Sequence, residues 1–167
     1  MGSQRLALKR LTLEYRQLLS KPPEGIAAGP IDESNIFEWE ALISGPPDTL
    51  YDGGCFACRL SFPRDYPLNP PKMRFVKPLW HPNIYPDGRV CISILHAPGD
   101  DQMMYEKSCE RWSPVQSVEK ILISVISMLA EPNDESPANI DAAKEWRTDR
   151  KAYAQKVDIA IRASLGW

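Results

Sequence analysis

The chain has 167 residues and a formal net charge of −2, with a pI of about 5.7, and its length suits a single domain over residues 1–167. It is 43% hydrophobic and 25% charged, as ordinary globular proteins are. The charge balance gives no basic excess that would favour nucleic acid or an anionic membrane surface as a partner. No apolar run approaches the ~18 residues that a membrane span needs.

The start of the chain is not expected to carry a targeting signal. Leu6 stands where a myristoylation motif needs Ser or Thr, and Lys9 and Arg10 interrupt the apolar run of a signal peptide. The four cysteines are too few for a disulfide scaffold, and reduced thiols are typical of the cytosol. The sequence therefore predicts a cytoplasmic or nuclear protein.

Residues 1–20 are predicted to form an amphipathic helix that ends before Pro22. Its apolar face carries, at helical spacing, Leu8, Leu11, Tyr15 and Leu18. The rest of its surface is basic, with Arg5, Lys9, Arg10 and Arg16. Such a surface is either solvated or a binding site for a partner, and the pattern leaves both open.

Three short segments are predicted to be strands of one antiparallel meander, because only turns separate them. They span residues 36–43, 56–62 and 72–76. Alternation places on one side of the first strand Phe37, Trp39, Ala41 and Ile43. In the second strand the corresponding residues are Phe56, Cys58, Leu60 and Phe62.

The last third of the chain is predicted to be helical. Ser113 and Pro114 have the form of a helix N-cap and a first helical residue. A wide apolar stripe follows, which we expect to pack against the sheet: Val118, Ile121, Leu122, Val125, Ile126 and Leu129. Pro132 ends this helix, and residues 138–165 are expected to form one or two more. The predicted fold class is therefore α+β.

The Pro-rich middle of the chain holds the candidate chemistry. Residues 62–71 read Phe-Pro-x-x-Tyr-Pro-x-x-Pro-Pro, and the block His81-Pro82-Asn83 precedes an Asp-Gly turn and then Cys91. The pattern alone predicts an extended, turn-rich segment that presents one cysteine. Such a cysteine is either inert or reactive, and the pattern does not distinguish the two.

These two motifs in order, with Trp112-Ser113-Pro114 after them, resemble the catalytic core of ubiquitin-conjugating enzymes over nearly the whole chain. The resemblance implies the fold of that family: an N-terminal helix, a four-stranded antiparallel meander sheet and C-terminal helices. Residues 96–111, the acidic insertion, are longer than the matching stretch of typical members. This insertion resembles the branch of Ubc-seven-type enzymes that serves endoplasmic-reticulum-associated degradation.

The resemblance implies a transferase. Cys91 would receive ubiquitin as a thioester from the activating enzyme and transfer it to a lysine amine with a RING-type ligase. The branch further implies lysine-48-linked chains for proteasomal degradation, and a membrane-anchored protein that recruits the chain to the cytosolic face of the endoplasmic reticulum. No cofactor and no metal is expected, since the activating enzyme uses the ATP.

Other catalytic candidates lie near Cys91. Asn83 would donate a hydrogen bond to the carbonyl oxygen that becomes negative during amine attack, or would only brace the loop through backbone hydrogen bonds. Tyr85 is included as a catalytic candidate, and His81 is expected to be structural.

The acceptor lysine must also be held and deprotonated. In the family an acidic residue follows the Pro-Asn after the long helix, but Ser136 occupies that position here. Asp100 and Asp101 of the acidic insertion are expected to hold the ammonium group instead, with His96 as a hinge or gate at its root. A solvated, mobile loop is the alternative.

Two partner surfaces are implied by the resemblance. A RING-type ligase would meet loop residues Leu68, Pro114 and Val115. The activating enzyme would meet the basic helix face at Arg5, Lys9 and Arg10.

The pair Cys55-x-x-Cys58 resembles half of a zinc or redox site. It lies at the start of a strand, where residues three apart point to opposite faces, and no second pair at metal spacing follows it. We expect two ordinary strand cysteines, and we assign Cys109 no role.

Three other functions stay open. A catalytically inactive ubiquitin-binding scaffold would be expected to lack Cys91. A cysteine hydrolase would need a base, and the chain offers only His81 and His96. Transfer of a different ubiquitin-like modifier is disfavoured only by the resemblance to the branch.

Overall fold

A computed structural model of the protein describes residues 2–97 and 111–166. Asp100, Asp101 and Cys109 lie outside the described residues. The elements are, in chain order, α1 (Gly2–Ser20), β1 (Ile26–Asp32), β2 (Asn35–Ser44), β3 (Cys55–Ser61), β4 (Lys72–Phe75), a short 3₁₀ helix (Ser93–Leu95), α2 (Val118–Ala130), α3 (Ile140–Thr148) and α4 (Arg150–Ser164). This order confirms the predicted α+β fold.

The four strands form one antiparallel sheet in the order β1-β2-β3-β4. The sheet confirms the expected four-stranded meander, although the pattern of the sequence does not indicate β1. Gly29 and Pro30 lie within β1, and both residue types weaken the signal of a strand. Pro30 is tolerated there because β1 is an edge strand, which has a partner on one side only.

The buried side chains of the strands and of α2 belong to one core cluster. As predicted, β2 buries Phe37, Trp39, Ala41 and Ile43, and β3 buries Phe56, Cys58 and Leu60. From α2 the cluster receives Val118, Ile121, Leu122, Val125, Met128 and Leu129. Each large apolar side chain buried in this way stabilises the fold by roughly 1.5–3 kcal/mol.

The buried face of α1 differs from the predicted one. It carries Ala7, Leu11, Glu14 and Leu18. Leu8 is instead 41% exposed, and Tyr15 is half-buried with its ring edge-on to Trp39 at 5.7 Å. The buried face is rotated relative to the predicted one because small Ala7 and charged Glu14 point inward. The spacing of large apolar residues does not indicate this.

The predicted N-terminus of α2 is wrong. The helix begins at Val118, and its N-cap is Ser117, whose hydroxyl accepts the Lys120 N–H at 3.1 Å. Residues 113–116 form a turn instead, closed by the Gln116 N–H donating to the carbonyl oxygen of Ser113 at 3.0 Å. Ser and Pro suit the first positions of a turn as well as those of a helix, so the motif is ambiguous.

The C-terminal segment forms two helices. The chain breaks at Asp149, whose carboxylate accepts the Ala152 N–H and so caps α4. Tyr153 and Val157 of α4 are buried in the core. Among the helices of residues 2–97 and 111–166, none has the length and apolar character to cross a membrane.

An irregular segment after β4 folds back along the edge of that strand. The Phe75 N–H donates to the carbonyl oxygen of Gly88 at 2.8 Å, and the Val90 N–H donates to that of Met73 at 3.0 Å. Gly88 has φ +97°, and an added Cβ would lie 2.3 Å from the carbonyl oxygen of Phe75. Glycine is therefore required where the segment approaches β4.

The variant Gly88→Ala is expected to destabilise the fold by roughly 2–4 kcal/mol, because it combines a positive φ with a backbone clash. Gly53→Ala is the matched control: its φ is +91°, but an added Cβ meets nothing within 4 Å, so a cost of roughly 1–2 kcal/mol is expected. Urea unfolding of both variants measures the difference. Equal costs would show that the contact with Phe75 adds nothing.

Candidate active site

Cys91 ends a small hairpin of residues 83–91. Its N–H donates to the carbonyl oxygen of Asn83 at 2.9 Å, and a β-bridge joins Ile84 to Val90. The Cys91 side chain is half-buried. Since the hairpin is also bonded to β4, backbone hydrogen bonds connect the backbone of Cys91 to the sheet.

His81 connects this hairpin to α2. Its Nδ1 accepts the Asn83 N–H at 2.9 Å, and its Nε2 donates to the carbonyl oxygen of Met128 at 2.8 Å. These roles fit a neutral imidazole with its hydrogen on Nε2. Burial lowers the pKa of His81 from 6.5 to about 4, so the ring is neutral at pH 7. The arrangement agrees with the expected structural role.

The side chain of Asn83 is bound to the loop that follows α2, residues 131–139, here named the post-α2 loop. Its Oδ1 accepts the Asn133 N–H at 2.9 Å, and its Nδ2 donates to the carbonyl oxygen of Asn133 at 2.7 Å. Asn83 is 5% exposed. This is the bracing geometry, one of the two interpretations that the sequence left open.

His96 approaches the candidate nucleophile in space. Its Nε2 lies 3.9 Å from the Cys91 Sγ, and its carbonyl oxygen accepts the Trp112 N–H at 3.2 Å. That bond joins the two ends of the acidic insertion. The structure therefore brings together Cys91, Asn83 and His96 of the sequence-predicted candidates.

Of the remaining catalytic candidates, the structure describes Tyr85 alone. Tyr85 lies at the turn end of the hairpin, where the guanidinium of Arg89 stacks 4.5 Å from the centre of its ring. Asp100 and Asp101 lie outside the described residues, so their predicted role stays a prediction. Ser136, in place of the expected carboxylate, is exposed in the post-α2 loop.

The family model described as "Ubiquitin-conjugating enzyme" matches residues 10–161 of this chain. The chain belongs to the ubiquitin-conjugating enzyme family. It is 68% identical to human "Ubiquitin-conjugating enzyme E2 G2" over 160 residues, which are 96% of this chain and 97% of that protein. It is 58% identical to "Ubiquitin-conjugating enzyme E2-18 kDa" of Schizosaccharomyces pombe over 164 residues, 98% of this chain and 99% of the other. The enzyme thus works with ubiquitin, an activating enzyme and a ligase, as the resemblance implies.

Two loops of this conjugating enzyme expose apolar side chains at the predicted ligase contact. Leu68 is 60% exposed and Val115 is 88% exposed, and Pro114 is exposed beside Val115. The indole N–H of buried Trp112 donates to the carbonyl oxygen of Pro67 at 2.8 Å, which ties the two loops together. Exposed apolar side chains grouped in this way suit contact with a protein partner, and the ligase contact itself stays a prediction.

Arg10 binds the backbone of the loop that carries Pro114 and Val115. Its Nη1 donates to the carbonyl oxygen of Pro114 at 3.0 Å, and its Nη2 donates to that of Gln116 at 2.7 Å. Arg5 and Lys9 are exposed on the same helix. The three basic residues predicted to meet the activating enzyme therefore differ: Arg5 and Lys9 face solvent, whereas the guanidinium of Arg10 is bonded within the enzyme.

Glu14 completes this support, and sequence reasoning misses it. Its carboxylate accepts the Tyr66 hydroxyl at 2.5 Å, the Val118 N–H at 2.8 Å and the Arg10 Nε–H at 3.2 Å. Burial, followed by the charge of Glu14, raises the pKa of Tyr66. The sequence does contain a signal for Glu14, since it lies at helical spacing between Leu11 and Leu18. An acidic residue on the buried face of a helix indicates that buried hydrogen-bond donors bind its carboxylate.

Cys55 and Cys58 point to opposite faces of β3, as predicted. Cys58 is fully buried in the core, and burial raises the pKa of its thiol. Cys55 is half-buried at the start of the strand. The two sulfurs therefore do not converge on one metal ion.

Because His81 is buried and neutral, the enzyme is expected to become less stable as the pH is lowered. Its pKa is about 4 in the folded enzyme and ~6.5 in the unfolded chain, so the unfolded chain binds more protons between these values. The free energy of unfolding should fall by about 2 kcal/mol from pH 7 to pH 5. Urea titrations of the wild type should show this fall, and His81→Gln should lack most of it. The same fall in His81→Gln would contradict the assignment.

The bonds of Arg10 predict a stabilising role. Arg10→Ala should lower the free energy of unfolding by about 1–3 kcal/mol, because it leaves the buried Glu14 carboxylate without its cation. Lys9→Ala, the adjacent exposed control, should change it by less than about 0.5 kcal/mol. Thermal unfolding compares the two, and equal effects would contradict the structural role of Arg10.

Proposed function

We propose that Cys91 is the residue that carries ubiquitin. The observation that supports this most directly is the position of its thiol, half-buried at the end of a hairpin that His81 and Asn83 join to α2 and to the post-α2 loop. Cys58 is buried with a raised thiol pKa, which makes it a poor nucleophile. Cys91, unlike Cys58, therefore has surroundings that suit thioester chemistry.

The two steps follow from the chemistry of sulfur. In charging, the Cys91 thiolate attacks the carbonyl carbon of the thioester between ubiquitin and the activating enzyme, and the thiolate of the activating enzyme leaves. In discharge, a neutral lysine amine attacks the new thioester, a C–N bond forms, the C–S bond breaks and the Cys91 thiolate leaves. The amine loses a proton, so the product is an isopeptide.

Asn83 is proposed to stabilise the oxyanion of discharge while it braces the loop. An amide nitrogen carries two N–H groups. One donates to the carbonyl oxygen of Asn133, and the second is chemically able to donate to the substrate oxygen. The two interpretations of Asn83 are therefore compatible, and removal of such a donor typically slows a reaction roughly a hundredfold or more.

We further propose that the enzyme builds lysine-48-linked chains for endoplasmic-reticulum-associated proteasomal degradation. The support is the acidic insertion, which resembles that branch of the family, together with the 68% identity to E2 G2. In this proposal a membrane-anchored protein recruits the cytoplasmic enzyme to the reticulum, the ligase is of the RING type, and Asp100 and Asp101 hold the acceptor lysine.

A cysteine hydrolase is the second candidate, and one distance favours it. The Nε2 of His96 lies 3.9 Å from the Cys91 Sγ, which is near enough for a base to approach a thiol after a small movement. A hydrolase would release ubiquitin from a thioester or isopeptide without an activating enzyme or ATP. The family relationship favours transfer over this reaction.

Incubation with activating enzyme, ubiquitin and ATP is expected to give a ubiquitin adduct that a thiol reductant removes. Cys91→Ser should give a reductant-stable adduct or none, because an oxygen ester replaces the thioester. Cys55→Ser is the matched control and should charge like the wild type. Non-reducing and reducing gels follow the adduct.

An adduct that persists in Cys91→Ser in reductant-labile form would place the carrier on another cysteine. Absence of any adduct, with a control conjugating enzyme charging normally, would contradict the proposal for ubiquitin. Release of ubiquitin from an isopeptide without ATP would establish the hydrolase instead.

A further inference from the structure

Two connections join the post-α2 loop to the segment that carries Cys91. The first is the pair of bonds between the Asn83 side chain and the Asn133 backbone, at 2.7 and 2.9 Å. The second is at Pro82, whose carbonyl oxygen accepts the Ala138 N–H at 2.8 Å and the Asn139 N–H at 3.0 Å. The loop is thus tied to residues 82–83 at both of its ends.

Arg147 of α3 reaches back to the same loop. Its Nε donates to the Asp134 Oδ2 at 2.5 Å, and its Nη2 donates to the carbonyl oxygen of Asp134. This side chain therefore binds both the carboxylate and the backbone of the residue next to Asn133. The hydrogen bond from Arg147 lowers the pKa of Asp134, so the carboxylate is charged at neutral pH.

These contacts form a closed circuit. Asn83 is hydrogen-bonded to Asn133, and the next residue, Asp134, is bonded to Arg147. Arg147 belongs to α3, whose N-cap is Asn139. The backbone N–H of Asn139 donates to the carbonyl oxygen of Pro82, the residue before Asn83. Asn139 is buried, and its side chain accepts the Ala142 N–H at 3.0 Å. Because α3 is fixed at its N-terminus, Arg147 can hold Asp134 at a set distance from Pro82.

We propose that Arg147 is a positioning residue for ubiquitin discharge, which acts by holding the post-α2 loop so that the Asn83 amide is fixed beside the Cys91 thioester. The inference rests on the proposed function of Cys91 and Asn83. Arg147 touches neither the thiol nor the hairpin in the contacts that the structure records for it, so its effect must pass through Asp134 and Asn133. Sequence reasoning misses Arg147 because it lies on the exposed side of a helix.

The size of the effect follows from the exposure of the pair. Arg147 is 53% exposed and Asp134 is 28% exposed, so solvent screens their attraction and its loss alone does not unfold the loop. The loss of an exposed ion pair of this kind changes an equilibrium constant or a rate by roughly two- to fivefold. We expect Arg147→Ala to slow maximal discharge by roughly two- to fivefold, with an unchanged half-saturating lysine concentration and unchanged charging.

The experiment charges the full-length enzyme with ubiquitin, stops the activating enzyme by removing magnesium, and adds free lysine over a concentration series. Loss of the thioester on non-reducing gels gives the maximal rate and the half-saturating concentration. Lys144→Ala is the matched control, because it removes one exposed positive charge from the same helix. It should discharge at the wild-type rate, and Arg147→Lys should be slowed less than Arg147→Ala.

The deciding comparison places Arg147→Ala in an Asn83→Ala background. If Arg147 acts through the amide, it should cause no further decrease there, and Asp134→Ala should match Arg147→Ala without adding to it. An equal decrease in both backgrounds, a raised half-saturating lysine concentration, or an equal effect of Lys144→Ala would overturn the inference. A wild-type enzyme that does not charge at all would overturn the proposed function and this inference with it, whereas a charged enzyme with additive variants overturns the inference alone.

Discussion

The rest of the site depends on the imidazole of His81 between two backbone groups. The segment between β4 and the 3₁₀ helix has little regular structure, and its backbone N–H and carbonyl groups still need partners when they are buried. His81 accepts from the Asn83 N–H and donates to the carbonyl oxygen of Met128 in the last turn of α2. A neutral imidazole can do both, since one nitrogen accepts while the other donates. Replacement by a side chain with only donors would leave one buried group without a partner.

The loops that carry Leu68 and Val115 are supported in a similar way, by charged groups. Buried carboxylates are unfavourable unless donors compensate them, and Glu14 has three, from three separate parts of the chain. Arg10 also satisfies two loop carbonyl groups. The exposed Leu68 and Val115 therefore lie on loops with backbones held from inside. A rigid apolar contact surface loses less conformational entropy when a partner binds.

This arrangement also connects two surfaces along one helix. Arg5 and Lys9 are exposed on α1, while Arg10 and Glu14 of the same helix hold the loops near Pro114 and Tyr66. A partner that displaced the Arg10 side chain would remove the support of residues 114–116. Contact at Arg5 and Lys9 alone would leave that support in place.

The regular part of the fold could be predicted because alternation and helical spacing report burial directly. The periodicity of apolar residues alone predicts the inward residues of β2 and the apolar stripe of α2. β1 could not be predicted in this way, because Gly29 and Pro30 remove its signal and pairing with β2 supplies its stability. The predicted start of α2 was wrong for a local reason, since Ser113 and Pro114 suit a turn as well as a helix N-terminus.

The site was predictable only where a motif marks it. Cys91, Asn83 and His81 belong to motifs, whereas Arg147 does not, and the contacts of Asn83 with Asn133 and of Arg147 with Asp134 join residues 50 and 13 positions apart. No local pattern reports such pairs. The 3.9 Å approach of His96 to Cys91 has a local origin: the two are five positions apart in sequence, and the 3₁₀ helix lies between them.

The chemistry of the described residues leaves one step of discharge to other groups. A lysine amine with a pKa of ~10.4 requires about 4–5 kcal/mol to become neutral at pH 7. Neither an amide such as Asn83 nor a buried neutral ring such as His81, whose pKa is about 4, removes that proton. Carboxylates of the acidic insertion would attract the ammonium group but would raise its pKa. Attraction of the lysine and removal of its proton therefore require different groups.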